Sequence, residues 1–172
     1  MERTMWQNSW VRAVTTLLTA AVMVMIFCFS MENAEKSDRR SGVLSSLAIS
    51  VLYPEYDKLE EGQQQAIYDN VQHVVRKCAH FSEYMILGFL IRLCLESWFG
   101  HKLKKLRILA LIGFGSGAAY ACTDEFHQRS VEGRSGQWTD VLVDSSGVLA
   151  GVILGTLMIR SLNRRTTDET DT

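Results

Sequence analysis

The chain has little proline, almost no net charge and no recognisable cysteine motif. Its 172 residues include one proline and four cysteines, and the cysteine spacings match neither zinc-binding nor redox patterns. The net charge is −1, and the basic residues form no broad patch, so we expect no nucleic-acid partner. Internal repeats and low-complexity tracts are also missing, which leaves the distribution of apolar residues as the main feature.

Formally charged residues are missing from long stretches of the chain. Residues 13–31 carry none, and residues 141–159 carry only Asp144. Two shorter apolar blocks, residues 79–95 and 108–122, lie between them. A helix that crosses a bilayer needs about 20 mostly apolar residues. The four blocks therefore predict an all-α integral membrane bundle of four transmembrane helices, and we favour this over a soluble bundle of very apolar helices.

The first apolar block is predicted to be an uncleaved anchor. Arg3 and Arg12 resemble the basic region of a signal peptide, but the sequence around Cys28 has no small-residue cleavage pattern. We expect an N-terminal segment at 1–12, a membrane domain at 13–165 and a polar, frayed tail at 166–172. The spans are placed at residues 13–31, 78–96, 106–122 and 140–159.

Basic residues predict the orientation of the spans. They lie before the first span, between the second and third at residues 101–107, and after the fourth from Arg160 to Arg165. With four spans these regions share one side, which the positive-inside rule makes the cytoplasm. The connections at 32–77 and 123–139 then face outward. We expect a multi-pass protein of the bacterial cell membrane with both termini in the cytoplasm.

The first outer connection is predicted to contain short amphipathic helices. Serines alternate with apolar residues up to Pro54, which is typical of a helix lying on the outer leaflet. Residues 59–77 form a second amphipathic pattern that continues directly into the second span.

Small residues in the spans are predicted to serve helix packing. Glycines recur at four-residue intervals from Gly147 to Gly155, and small residues at this spacing let two helices approach closely. We favour packing inside one bundle over dimerisation. Cys28, Cys78 and Cys122 lie near predicted outer ends of spans, where buried thiols are the default and a disulfide is the alternative.

Ionisable residues gather where three spans are predicted to end on the outer side. Residues three or four positions apart share a helix face, so each group projects from one side of its span. The predicted topology makes the groups converge on one outward-facing pocket. The groups are Lys77, His80 and Glu83 on the second span, Asp124, Glu125, His127 and Gln128 on the third, and Asp140 and Asp144 on the fourth.

Two kinds of catalytic chemistry fit this constellation. His80, His127 and Asp124 are weak candidates for metal ligands, because the chain lacks a tight ligand motif. His80 or His127 is instead a candidate acid or base, with Glu83, Asp124 or Glu125 as its carboxylate partner. The sequence leaves open both whether a cofactor is bound and whether the protein is an enzyme.

Arg134 raises a further alternative, because it lies between two glycines in the second outer connection. Its guanidinium suits a phosphate or carboxylate in bidentate geometry. The alternative to a ligand site is structural. In it Arg134 pairs with Asp140 or Asp144, and Glu83 pairs with Lys77 or Arg76. Such a network would only lock helices together.

Three segments carry a resemblance to a known family. They are residues 76–84 (RKCAHFSEY), residues 124–128 (DEFHQ), and the Gly-Arg and Thr-Asp-Val motifs followed by glycines at 133–151. Together they resemble the VanZ-like family of small integral membrane proteins, named for a teicoplanin-resistance accessory protein. The polar residues of these segments are our candidates for ligand binding: Lys77, His80, Tyr84, Gln128, Arg134, Asp140 and Asp144.

The resemblance also implies a role in the cell envelope. Some members of the family lower susceptibility to glycopeptide and lipoglycopeptide antibiotics. We therefore expect a protein that modulates this susceptibility through an outward-facing polar pocket, with membrane lipids and a glycopeptide or envelope precursor as partners. One alternative is an intramembrane enzyme, metal-dependent or not, acting on a lipid-linked or phosphorylated envelope precursor. Another is a non-catalytic membrane assembly partner.

Overall fold

The computed structural model describes residues 6, 8–32, 34–100, 106–131 and 137–170, with side chains except at 34, 35, 40 and 165–170. Over these ranges the chain is helical and contains no strand. A short 3-10 turn at Tyr56–Lys58 separates the second and third helices. The α-helices in the described residues are α1 (Ser9–Ser30), α2 (Ala34–Leu52), α3 (Glu61–Phe99), α4 (Leu106–Gln128) and α5 (Trp138–Thr170).

Four of these helices, α1, α3, α4 and α5, are long and apolar enough to cross a membrane. Large apolar side chains are exposed along them, including Leu17, Leu111 and Leu142. In water such surfaces would be unfavourable, whereas lipid solvates them without cost. The all-α membrane fold predicted from the charge-free blocks is confirmed.

The pair α3 and α5 forms the centre of the bundle, and glycine makes their close approach feasible. A Cβ atom on Gly147 would overlap the carbonyl oxygen of Phe81, and one on Gly151 would overlap that of Met85. The side chain of Val148 fills the space beside Gly117 of α4, where an added Cβ would lie 2.5 Å from Val148 Cγ1. The glycine stripe therefore packs inside one bundle, as predicted, and is not available for dimerisation.

A buried ion pair strengthens the same helix contact near the C-terminal end of α3. Arg92 is 0% exposed, and its Nη1 donates to Glu96 Oε2 at 3.0 Å. Its Nε donates to Thr156 Oγ1 of α5 at 3.1 Å. Nη2 has no hydrogen-bond partner among the described residues. The bond to Thr156 ties α3 to α5 far from the ionisable groups singled out in the sequence.

The helix α2 packs antiparallel along the first part of α3. Asp38 pairs with Arg76 at 3.1 Å, and Gly42, further along α2, faces Tyr68, earlier on α3. Residues 59–77 are largely the beginning of α3, which continues without a break into the predicted span. The predicted amphipathic helix is therefore present and packs its buried face on α3, while its position on the outer leaflet stays a prediction.

Two smaller expectations also need correction. Cys28, Cys78 and Cys122 are exposed free thiols and are not buried, because they lie on bundle surfaces where no other helix covers them. The tail expected to be frayed from residue 166 is helical to Thr170, since α5 continues without interruption past its apolar part.

Candidate functional site

A polar cluster joins the last residue of α1 to α4. Ser30 Oγ donates to Asp124 Oδ2 at 2.7 Å, and Gln128 Nε2 donates to the same oxygen at 2.9 Å. Gln128 Nε2 also lies 3.3 Å from Ser30 Oγ, so the three buried side chains form a closed ring of contacts. Asp124 and Gln128 share one face because α4 remains helical to Gln128.

Two matching contacts join α3 to α5. His80 Nδ1 lies 3.8 Å from Asp144 Oδ1, and Lys77 Nζ lies 3.4 Å from Asp140 Oδ1. Lys77 and His80 are one helical turn apart on α3, and Asp140 and Asp144 are one turn apart on α5. The two contacts therefore follow one another along the interface. Lys77 and Asp140 are partly exposed, whereas Asp144 is 1% exposed.

The two sets of contacts lie close together around Asp144. Tyr84, which is wholly buried, is within electrostatic range of both Asp144 and Asp124. The structure thus brings residues of three sequence groups to one end of the bundle, which we call the acidic end and define by Ser30, Asp124 and Asp144. The other carboxylates within electrostatic range of Asp144 are Glu83, Asp124, Glu125 and Asp140.

The two buried carboxyl groups at the acidic end differ in their hydrogen bonding. Asp124 has the hydroxyl of Tyr84 beside it as a donor in addition to Ser30 and Gln128. Within the described residues, neither oxygen of Asp144 accepts a hydrogen bond, and its 1% exposure means that water provides little compensation. A buried carboxylate is stable only beside a positive group, a hydrogen-bond donor or a proton. These atoms therefore suit a ligand that brings donor groups or positive charge.

Glu125 and His127, the other two candidates on α4, have different surroundings. Glu125 Oε1 accepts the backbone N–H of Gln137 at 2.6 Å, directly before α5 begins. It therefore positions the start of the helix that carries Asp140 and Asp144. The ring of His127 stacks on Phe27 of α1, with ring centroids 5.0 Å apart.

The candidate metal ligands do not form a metal site. Among the described residues, no three His, Cys, Asp or Glu side chains are placed to hold an ion. His80 faces α5, His127 stacks on α1, and Asp124 accepts hydrogen bonds from Ser30 and Gln128. The structure therefore does not bring His80, His127 and Asp124 together, and a metal role for any of these weak candidates stays a prediction.

A cleft of about 100 Å³ lies between α2, α3 and the end of α1. That volume exceeds the roughly 10–15 Å³ needed for one water, so the cleft has room for a polar group of several atoms. His80 lines it and also faces Asp144, so the cleft adjoins the acidic end. The lining residues are Phe29, Ser37, Ser41, Leu44, Val75, Arg76, Ala79, His80 and Glu83.

Two basic residues of the expected ion-pair network have partners on other helices. Arg76 pairs with Asp38 of α2, and Lys77 pairs with Asp140 of α5. Glu83 lines the cleft, and its pairing with Lys77 or Arg76 stays a prediction. The predicted roles of Gly133 and Arg134 lie outside the described residues.

The sequence did not reveal Ser30 as a site residue, and it did not reveal the ion pair of Arg92 with Glu96 as part of the core. A single serine at the end of an apolar block gives no signal of its own, and only the fold places it on Asp124. Arg92 gave a stronger signal, since a charge inside an apolar helix is costly and needs a partner. Glu96, four residues later, is that partner.

The fold and the site together define a multi-span helical membrane protein with buried carboxylates at one end of its bundle. The family model of VanZ/LLP1 matches residues 15–159, and the chain belongs to this family. The resemblance expected from the sequence is thereby confirmed, and membership is consistent with a membrane protein linked to glycopeptide resistance. No match is found among curated proteins or among solved structures.

Proposed function

We propose that this protein acts in the bacterial cell membrane with its acidic end outward, and binds the polar part of an envelope-directed molecule there. Binding alters the interaction of glycopeptide and lipoglycopeptide antibiotics with the cell surface and so modulates susceptibility to them. The termini lie in the cytoplasm in this arrangement. Family membership and the distribution of basic residues support the proposal.

One observation carries the binding role: within the described residues, neither oxygen of the buried Asp144 accepts a hydrogen bond. A network that only joined helices would be expected to satisfy its own acceptors, because an unpaired buried polar group costs about 1–3 kcal/mol. Glycopeptides, as sugar-bearing peptides, are rich in hydroxyl and amide donors. Donor groups of this kind complement acceptor oxygens that the protein leaves unfilled.

We infer that the cleft beside α2 is the route by which a ligand reaches these acceptor oxygens. Its wall combines apolar side chains such as Leu44 and Val75 with polar ones such as His80 and Glu83. A molecule with an apolar and a polar part can therefore contact both kinds of surface. His80 links this cleft to Asp144.

Deleting the gene from its host tests the proposal. We expect sensitivity to lipoglycopeptides to change more than sensitivity to antibiotics with cytoplasmic targets, and a plasmid copy to restore it. The comparison between classes matters because a damaged envelope alters entry of many compounds. Equal shifts in both classes would mean general envelope damage and would contradict a specific role.

The His80 and Asp144 pair favours a second candidate, acid–base catalysis on a lipid-linked or phosphorylated envelope precursor. A histidine next to a buried carboxylate is a recurring arrangement for moving protons. Purified protein in lipid nanodiscs would be incubated with a lipid-linked precursor and its products analysed. Turnover that His80→Gln abolishes would establish catalysis, whereas binding without turnover would support the first function. Stoichiometric metal in the purified protein would favour a metal-dependent enzyme.

A further inference from the structure

The two successive contacts between α3 and α5 at the acidic end differ in charge. In the first, Lys77 Nζ lies 3.4 Å from Asp140 Oδ1, so an ammonium group faces a carboxylate. In the second, His80 Nδ1 lies 3.8 Å from Asp144 Oδ1, which is longer than a hydrogen bond. Because a histidine is charged only when protonated, the more deeply buried carboxylate has the weaker partner.

Carboxyl groups outnumber cations around Asp144 within the described residues. Lys77 pairs with one of these carboxyl groups, and Arg129 lies within electrostatic range of another, Glu125. Neither cation forms an ion pair with Asp144 itself. A cation bound beside Asp144 therefore reduces the repulsion among the ionised members of this group. The four other carboxyl groups within electrostatic range of Asp144 are those of Glu83, Asp124, Glu125 and Asp140.

The burial of Asp144 is a second, independent indication of a ligand. Neither of its oxygens accepts a hydrogen bond within the described residues, and the side chain is 1% exposed. A protonated primary amine carries three N–H donors and a positive charge, so it supplies both the donors and the charge that this carboxylate lacks. Hydrogen bonds to ionised groups are roughly twice as strong as those between neutral groups, which favours an amine over a hydroxyl group.

The cleft beside α2 has room for such a group and a suitable wall. Its volume of about 100 Å³ is several times the roughly 10–15 Å³ that one water needs, so an aminoalkyl group fits. Leu44 and Val75 suit an alkyl chain, while Glu83 adds a carboxyl group to the wall. His80 lines the cleft and faces Asp144, so rotation of its side chain opens a path from the cleft to the carboxylate.

We propose that the acidic end binds an amphiphile that carries a protonated primary amine, with the amine on Asp144 and the apolar part in the cleft. This ligand class rests on the function proposed above and specifies its ligand by charge. An amine-bearing lipid of the outer leaflet and an amphiphilic amino sugar from outside the cell share this chemistry. The contact of Lys77 with Asp140, one helical turn away, is the same pairing of ammonium with carboxylate made within the chain.

Three probes with the same alkyl chain test the need for charge. Octylamine, octanol and N-octylacetamide are titrated into the purified full-length protein in dodecyl maltoside, and binding to protein-free micelles is subtracted. Only octylamine is charged at neutral pH. We expect it to bind about tenfold or more tightly than either neutral probe, because its hydrogen bonds to the carboxylate are charge-assisted. Equal binding of the three probes, or binding of none, would overturn the proposal.

Two matched variants test the position of the amine. Asp144→Asn replaces an acceptor oxygen by a donor amide, and Asp57→Asn makes the same change in the exposed turn after α2. We expect octylamine to bind about tenfold or more weakly to Asp144→Asn and unchanged to Asp57→Asn. Thermal unfolding without probe checks that both variants fold, and the comparison of probes on the wild-type protein stays decisive if one does not. Unchanged affinity in folded Asp144→Asn would overturn the proposal.

Competition against octylamine identifies the source of the amine. Stronger displacement by phosphatidylethanolamine would assign the site to a membrane lipid, and stronger displacement by the octyl glycoside of glucosamine would assign it to an amino sugar. Displacement by neither would overturn the proposal.

Failure of the amine site and failure of the proposed function give different results. Amine binding that depends on Asp144, without a class-specific change in susceptibility on gene deletion, would retain the site and remove the function. Equal binding of charged and neutral probes, together with a class-specific change, would retain the function and remove the amine.

Discussion

Replacing Gly151 by alanine probes the contact on which the whole bundle depends. The new Cβ would overlap the carbonyl oxygen of Met85 and would lie 2.7 Å from the backbone nitrogen of Phe89. Non-bonded heavy atoms are at their optimum near 3.5–4.0 Å, so α3 and α5 must separate by about 1 Å. Both neighbours are backbone atoms, which cannot move aside as a flexible side chain does. We therefore expect a cost near the upper end of overpacking, about 3 kcal/mol.

Gly115→Ala is the matched control for this prediction. A Cβ added at Gly115 of α4 meets nothing within 4 Å. Both variants replace a helical glycine by alanine, and so both receive the same gain in helix propensity. The difference in stability between them therefore isolates the packing cost between α3 and α5.

Unfolding in detergent micelles measures that difference. The two variants would be titrated with sodium dodecyl sulfate and followed by tryptophan fluorescence and circular dichroism. A difference of about 3 kcal/mol corresponds to roughly 150-fold in the unfolding equilibrium. If Gly151→Ala unfolded at the same point as Gly115→Ala, the direct backbone contact between α3 and α5 would be refuted.

Three further predictions concern the interior and the orientation. Arg92→Met should destabilise the protein by about 3–5 kcal/mol in the same assay, because Glu96 stays buried without its partner, and adding Glu96→Leu should recover most of the loss. Tyr120→Phe removes a 2.6 Å hydrogen bond to a carbonyl of α1 and should cost only about 0.6 kcal/mol, the average for such bonds in membrane proteins. In a cysteine-free background, a thiol reagent that does not cross membranes should label Ser46→Cys in intact cells and Lys104→Cys only after permeabilisation; the reverse pattern would overturn the orientation.

The sequence predicted the spans well because charge inside a bilayer is costly. Long stretches without charge are rare for any other reason, so the four spanning helices could be read directly. The glycine stripe was equally informative, since Gly147 and Gly151 leave space that only another backbone can fill. Where α2 would pack was not predictable, because an amphipathic pattern suits a membrane surface and a helix surface alike.

The site could be predicted in part. Helical spacing correctly grouped Lys77 with His80 and Asp140 with Asp144, but spacing within one helix does not say which helices are neighbours. The contact of His80 with Asp144 therefore required the fold. Ser30 was missed for the same reason, since it lies far from Asp124 in sequence and contacts it only because α1 packs beside α4.

The most direct test of the binding site compares Asp144→Asn with Asp57→Asn. Both changes replace a carboxyl group by an amide of nearly the same volume, but Asp144 is 1% exposed at the acidic end whereas Asp57 is exposed in the turn after α2. Antibiotic susceptibility would be measured in the deletion host and divided by the amount of protein in the membrane. We predict that Asp144→Asn abolishes function at undiminished abundance, because the amide keeps the packing volume but replaces one acceptor oxygen by a donor, while Asp57→Asn behaves as wild type. Full function of Asp144→Asn at normal abundance would contradict a ligand site built on this carboxylate.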